Sequence, residues 1–173
     1  RELSRNFSYI MNSSMSSQLM TYRLKFLGDE ILREQIVKYL AETRSIHVSI
    51  DNIMTTRGSL IAFYILFKTI LKPRDNNVIV GYPGFKEGHN AIKLAGGNLK
   101  YVDVDEHGMC IEQVESLLKK ERIRALFIIP HHHYPTTVSL SADRRMELLK
   151  LADKYKFAII EDDYDYDFHY ASA

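Results

Sequence analysis

Apolar and polar positions along the chain fall into two regimes. From 78 onward, short apolar runs at 78–82, 99–104, 125–130 and 157–162 alternate with stretches whose apolar residues recur every three or four positions. The short runs, partly β-branched, predict strands buried in a sheet. The intervening 86–95, 111–121 and 141–154 predict helices, the last with Ser141 as a simple N-cap. Strand–helix alternation implies right-handed βαβ units and a mainly parallel sheet with helices on both faces, a three-layer α/β fold. The final run stops abruptly in acid. After apolar 157–160 come Glu161, Asp162, Asp163, Asp165 and Asp167, so a buried strand delivers carboxylates to the C-terminal sheet edge, where α/β proteins bind ligands.

Before 78 the pattern is helical or weak. Apolar residues at 32, 36, 39 and 40 make one face of an amphipathic helix over 29–44, and 59–67 is apolar almost all round, as a helix buried on most sides would be. Pro73 stops it. Residues 1–28, rich in Ser, Asn and Met, read as a loosely ordered arm ahead of a domain over 29–173.

Composition narrows the function classes. A chain of 173 residues suits one domain with a sizeable core. With 23 basic against 22 acidic residues, no global field favours nucleic acid or an anionic membrane. Cys110 is the sole cysteine, which rules out an internal disulfide, suits a cytoplasmic setting and reads as a structural thiol. The apolar run within 60–71 is broken by Lys68 and too short to span a bilayer. The start at Arg1, without the order of a secretory signal, leads us to expect a piece of a longer protein.

Four turns carry candidate chemistry. In 55–59 (Thr-Thr-Arg-Gly-Ser) a glycine turn leads into a helix, whose free N–H groups and positive dipole end suit an anion; simple capping by Thr56 and Ser59 is the alternative. In 81–85 (Gly-Tyr-Pro-Gly-Phe) a turn after a strand sets Tyr82 or Phe85 where a planar ring could stack, unless the aromatic merely packs inward. In 131–137 three successive histidines resemble metal ligands, but alternation of side chains lets at most two share a side, so polar groups facing the cleft are expected and a metal is not. The spacing of Asp163, Asp165 and Asp167 mimics a calcium loop, yet Phe168 stands where glycine is needed. A solvated acidic loop remains open on these residues alone.

Taken in order, Thr56-Arg57-Gly58-Ser59, Tyr82-Pro83-Gly84-Phe85, His132-His133-Tyr134-Pro135-Thr136 and Ile160-Glu161-Asp162-Asp163-Tyr164-Asp165 resemble the large domain of fold-type I pyridoxal-phosphate enzymes, the aspartate aminotransferase superfamily. The last two motifs are most similar to the aminotransferase-like domain of MocR-type regulators in the GntR superfamily, which join a winged helix to this fold. The resemblance covers about residues 28–170 and implies an incomplete large domain of that class.

It further implies pyridoxal 5'-phosphate as cofactor. Asp162 would pair with the pyridine nitrogen, Tyr164 with the phenolic oxygen, Gly58 and Ser59 with the phosphate, and Phe85 would stack on the ring. Tyr134 stands where many relatives carry an asparagine that meets the same phenolic oxygen. Two positions depart from the family pattern: Thr137 replaces its usual glycine, and His133 stands where glutamine is common. No lysine follows Lys156, so the Schiff-base lysine is absent, no catalytic residue is assigned, and the chain alone is expected to be inactive.

The function implied is an effector sensor for a small amino compound within a transcription regulator. The parent protein is expected to be a homodimer that meets DNA only through a winged helix lying elsewhere. The alternatives are a stand-alone aminotransferase, with the amino compound as substrate, and a degenerate interaction module without cofactor.

Overall fold

The computed structural model describes residues 1–20 and 26–168. Positions 21–25 of the expected arm and 169–173 of the expected domain lie outside the described residues. The chain divides into two compact units, Arg1–Thr56 and Arg57–Ala173.

In the first unit the expected arm contains α1 (Glu2–Met11) and α2 (Met15–Met20). No residue of α1 is buried, which leaves Leu3, Phe7, Ile10 and Met11, spaced as one helical stripe, facing outward. Helix α3 (Glu30–Arg44) begins at the N-cap Asp29, whose carboxylate accepts from Leu32 N at 3.1 Å, and ends at Ser45 in the left-handed region, φ 53°. Its expected apolar face is not what is buried. Leu32 and Tyr39 are 50% and 41% exposed, whereas Arg33 is buried. The guanidinium explains this: Arg33 Nε donates to Ile53 O at 2.7 Å and Nη2 to Ile50 O at 2.6 Å, tying the helix to the 3-10 turn Ile50–Asn52. Such charge-assisted bonds to carbonyls offset the cost of burying the cation.

In the second unit α4 (Ser59–Ile70) leads to β1 (Asn77–Tyr82), α5 (Lys86–Leu94), β2 (Asn98–Asp105), β3 (Gly108–Met109), α6 (Ile111–Lys120), β4 (Ala125–Ile128), α7 (Ala142–Tyr155) and β5 (Ala158–Glu161). The sheet runs β3-β2-β1-β4-β5, with β1 in the middle. The β1–β2, β1–β4 and β4–β5 pairings are parallel and only the β2–β3 hairpin is antiparallel, as the alternation of strands and helices implied.

Strand periodicity builds two cores. Ile79, Val102, Leu126 and Ile128 point to one face and pack with Val114 and Leu118 of α6 and Leu148 and Leu151 of α7. Their neighbours Val78, Val80, Ala125 and Phe127 point to the other and pack with Phe63 and Phe67 of α4 and Ala91 and Ile92 of α5. Helix α4 is not buried on most sides: Phe63 and Phe67, one turn apart, are buried in the core and Ile70 packs against it, while Leu60, Ile61, Tyr64 and Leu66 stay exposed. Truncating a fully buried residue such as Phe67 to alanine typically costs about 3–5 kcal/mol.

Strand β5 also differs from expectation. Among the described residues it has a partner on one side only, β4, and Ile159 and Ile160 are half-buried. Ser141 caps α7 as read from sequence, accepting from Arg144 N at 3.4 Å. Arg144 in turn grips Asp105 with both terminal nitrogens, at 2.6 and 2.8 Å, which holds the Asp105 carboxyl well below the usual carboxylate range. Cys110 is half-buried; its thiol donates to Asp105 Oδ2 at 3.3 Å, and burial foremost keeps it protonated, the state of a structural thiol.

Candidate functional site

Parallel pairing brings the C-terminal ends of β1, β4 and β5 to one edge, and the loops that follow them meet the N-terminus of α4 there. Together they enclose a cavity of about 170 Å³ lined by Ser59, Phe85, Ile129, Tyr134, Asp162 and Tyr164. Five of the six residues singled out from sequence thus share one cavity, and the sixth, Gly58, is the N-cap of α4 directly before Ser59.

Gly58 holds φ 83°, a conformation that disfavours a side chain, and no atom lies within 4 Å of where its Cβ would stand. The space on that side of Gly58 is clear. Gly58 takes the N-cap position with Ser59 as the first helical residue, and the first-turn N–H groups have no acceptor inside the helix.

Phe85 and Tyr134 meet edge to face, with ring centroids 5.9 Å apart at 82°. Tyr82 is not part of this wall; it faces a separate groove on the other side of the Pro83–Gly84 turn. Asp162 continues the β5 ladder by one residue, its N–H donating to Ile128 O at 2.9 Å. Burial, then the charges of Asp163 and Asp165, push the Asp162 carboxyl up from its ordinary value. A cation opposite would reverse that shift. The Tyr164 hydroxyl donates to His132 O at 3.2 Å.

None of the three histidines lines the cavity, contrary to expectation, because each is engaged outside it. His131 Nδ1 lies 2.7 Å from Asp163 Oδ1, and Arg145 Nη1 is 3.4 Å from the other ring nitrogen, an arrangement that a neutral ring with its proton on Nδ1 satisfies. His132 Nδ1 lies 2.7 Å from Asp165 Oδ2. His133 is buried and donates from Nε2 to Pro83 O at 2.8 Å; burial lowers its pKa, partly opposed by that bond. Asp163 and Asp165 are therefore fastened to the preceding loop. Asp165 Oδ1 is buried without a hydrogen-bond partner among the described residues. Among the described residues no group of three or more His, Cys, Asp or Glu side chains is placed to hold a metal ion.

The turn at 133–138 is tight. Thr137 N donates to His133 O at 2.6 Å and His133 N to Val138 O at 2.9 Å, with Thr137 at φ 62°. Glycine at that position, the family pattern, is thus a backbone requirement that threonine meets under strain. Sequence reasoning missed Ile129 as a wall of the cavity; the signal was the apolar run continuing past the end of β4.

The family model described as aminotransferase class I and II matches residues 14–172. The uncharacterized HTH-type transcriptional regulator YdeL of Bacillus subtilis is 30% identical over 83% of this chain and 30% of its own length. Aromatic-amino-acid aminotransferase 1 of Thermococcus litoralis is 28% identical over 76% of this chain and 32% of its own. The chain therefore spans about a third of the length of these relatives. Among solved structures, the kynurenine aminotransferase of Pyrococcus horikoshii in complex with PMP superposes with a TM-score of 0.83 at 27% identity, covering 94% of this chain and 41% of that one. No helix of the described residues is long and apolar enough to cross a membrane.

Proposed function

The chain belongs to the class I and II aminotransferase family, and from that premise we propose that it is the part of an aminotransferase-like domain that holds pyridoxal 5'-phosphate, within a parent MocR/GntR-type transcription regulator. The family depends on this cofactor. The observation that carries the reading is the meeting of Ser59, Phe85, Tyr134, Asp162 and Tyr164, from four separate stretches of chain, around one cavity.

The residues fit the group. Gly58 leaves clear space beside the N-terminus of α4, where first-turn N–H groups and the helix dipole would receive a phosphate. Phe85 and Tyr134 offer aromatic surface, and Asp162 offers a half-buried carboxylate. When bound, the cofactor supplies a carbonyl that reacts with amino groups and a ring that draws electron density from them. The Asp162 carboxylate would hold a proton on the pyridine nitrogen, keeping the ring cationic; that cation would bring down the raised pKa of Asp162. Tyr164 would turn its hydroxyl from His132 O to the phenolic oxygen. None of these residues is a lysine, so none of them would form a covalent link to the cofactor.

In the parent protein, acting as a homodimer, the domain would sense a small amino compound and pass the change to a winged helix elsewhere in the chain. A second reading, a stand-alone aminotransferase, is favoured by the similarity to the Thermococcus litoralis aminotransferase.

Calorimetric titration with pyridoxal 5'-phosphate tests the site. The chain should bind saturably, and Asp162→Asn should weaken binding about tenfold or more, roughly 1.4 kcal/mol. Equal affinity in the variant, or none in the parent sequence, overturns the reading. In the full parent protein, affinity for operator DNA should change when cofactor and an amino compound are both present; if it does not and amino transfer is observed, the second reading stands.

A further inference from the structure

A second and larger cavity, about 570 Å³, opens beside α5 and shares no lining residue with the one above. Its volume lies in the range of small-molecule sites. Lys86, His89 and Lys93 reach it from one face of α5, at the spacing that puts side chains in a row, with the two lysines about 10 Å apart along the axis. Tyr82 and Tyr101 form the opposite wall, rings edge to face with centroids 6.1 Å apart, and His89 lies edge-on to Tyr101 at 5.8 Å.

Three features point to a ligand. His89 is only 7% exposed and lines the groove; its ring makes no hydrogen bond among the described residues, and neither nitrogen is fully buried. Burial first, then Lys93 and His133, lower its pKa to about 4, so the ring is neutral and offers one donor and one acceptor. Lys86 and Lys93, both exposed, have no ion-pair partner among the described residues. The wall also needs Gly84 bare, since a Cβ there would stand 2.8 Å from His89 Cε1 and 3.0 Å from Nε2.

We propose that this groove binds a planar aromatic anion, its ring against Tyr82 and Tyr101, its charged group between Lys86 and Lys93, and a polar substituent on His89. The two ammonium groups accept a carboxylate or a phosphate alike, while the aromatic wall demands a flat apolar body. The site is independent of the cofactor cleft and does not rest on its assignment.

The test follows the His89 ring signal by NMR in the full chain during titration with 2-naphthoate, 2-naphthyl phosphate and the neutral 2-naphthamide. At least one anion should shift the signal saturably and move its titration midpoint upward from about 4, because an anion at the lysines favours the imidazolium. The tighter of the two anions identifies the charged group. The amide should bind about tenfold more weakly, as should either anion to the Lys86→Met/Lys93→Met variant, whose two changes are both at exposed positions. No saturable shift with either anion, equal binding of the amide, or an unchanged double variant each overturns the proposal.

Discussion

Replacing Thr137 with glycine should stabilise the protein, against the general rule that glycine weakens a fold. Thr137 sits at φ 62°, where a Cβ crowds the backbone at a cost of roughly 1–2 kcal/mol for an L-residue, the more so when β-branched. Its side chain is exposed and makes no hydrogen bond among the described residues, so glycine removes none, while the turn bond from residue 137 N to His133 O, at 2.6 Å, belongs to the main chain and stays. Against the relief stands the greater freedom of glycine in the unfolded chain, about 0.5–1 kcal/mol. The net gain is about 0.5–1 kcal/mol, a rise in Tm of about 1–4 °C for a chain of this size. Urea denaturation monitored by far-UV circular dichroism measures it, with Thr137→Ala as the control that deletes the hydroxyl but keeps a Cβ. Thr137→Ala should recover a minor part of the gain. A glycine variant no more stable than the alanine one would refute the strain argument.

Two further outcomes follow from the acidic loop. His132→Ala should destabilise by about 2–3 kcal/mol, because Asp165 Oδ1 is already buried without a partner and Oδ2 would lose its own; adding Asp165→Ala should restore part of that loss in a double-mutant cycle. In the absence of cofactor, Asp162→Asn should raise stability at pH 7 even as it weakens cofactor binding. The folded-state pKa of Asp162 lies above its unfolded value, so ionising it costs the folded state stability as pH rises through that interval. The variant's advantage should vanish once pH falls below the unfolded carboxylate range, which denaturation curves across acid pH would reveal.

How much was legible depended on range along the chain. Strand and helix periods operate over a few residues, and β1, β2, β4 and β5 and helices α3 to α7 stand within a few residues of where the pattern placed them. Strand β3, two residues long, is too short to show any period, and α1 was passed over amid Ser and Asn although Leu3, Phe7, Ile10 and Met11 carry the helical spacing. Extent of burial was less legible. The all-round apolar α4 exposes most of its surface, and the polar Arg33 is what α3 buries, since burial depends on what packs against an element and not on its own composition. Phe85, Tyr134, Asp162 and Tyr164 could be grouped because they follow strand ends, which parallel pairing gathers at one edge. The groove between Tyr82, Tyr101 and Lys93 had no such signal, because it needs β2 beside β1 and a particular face of α5.

The pairings of His131 with Asp163 and of His132 with Asp165, which frame Tyr164, have a mechanical meaning as well. They act as two rivets through neighbouring plates: the loops after β4 and β5 cannot spread apart without breaking both. The gap between Tyr134 and Asp162 is thereby held to one width by the two loops that carry them.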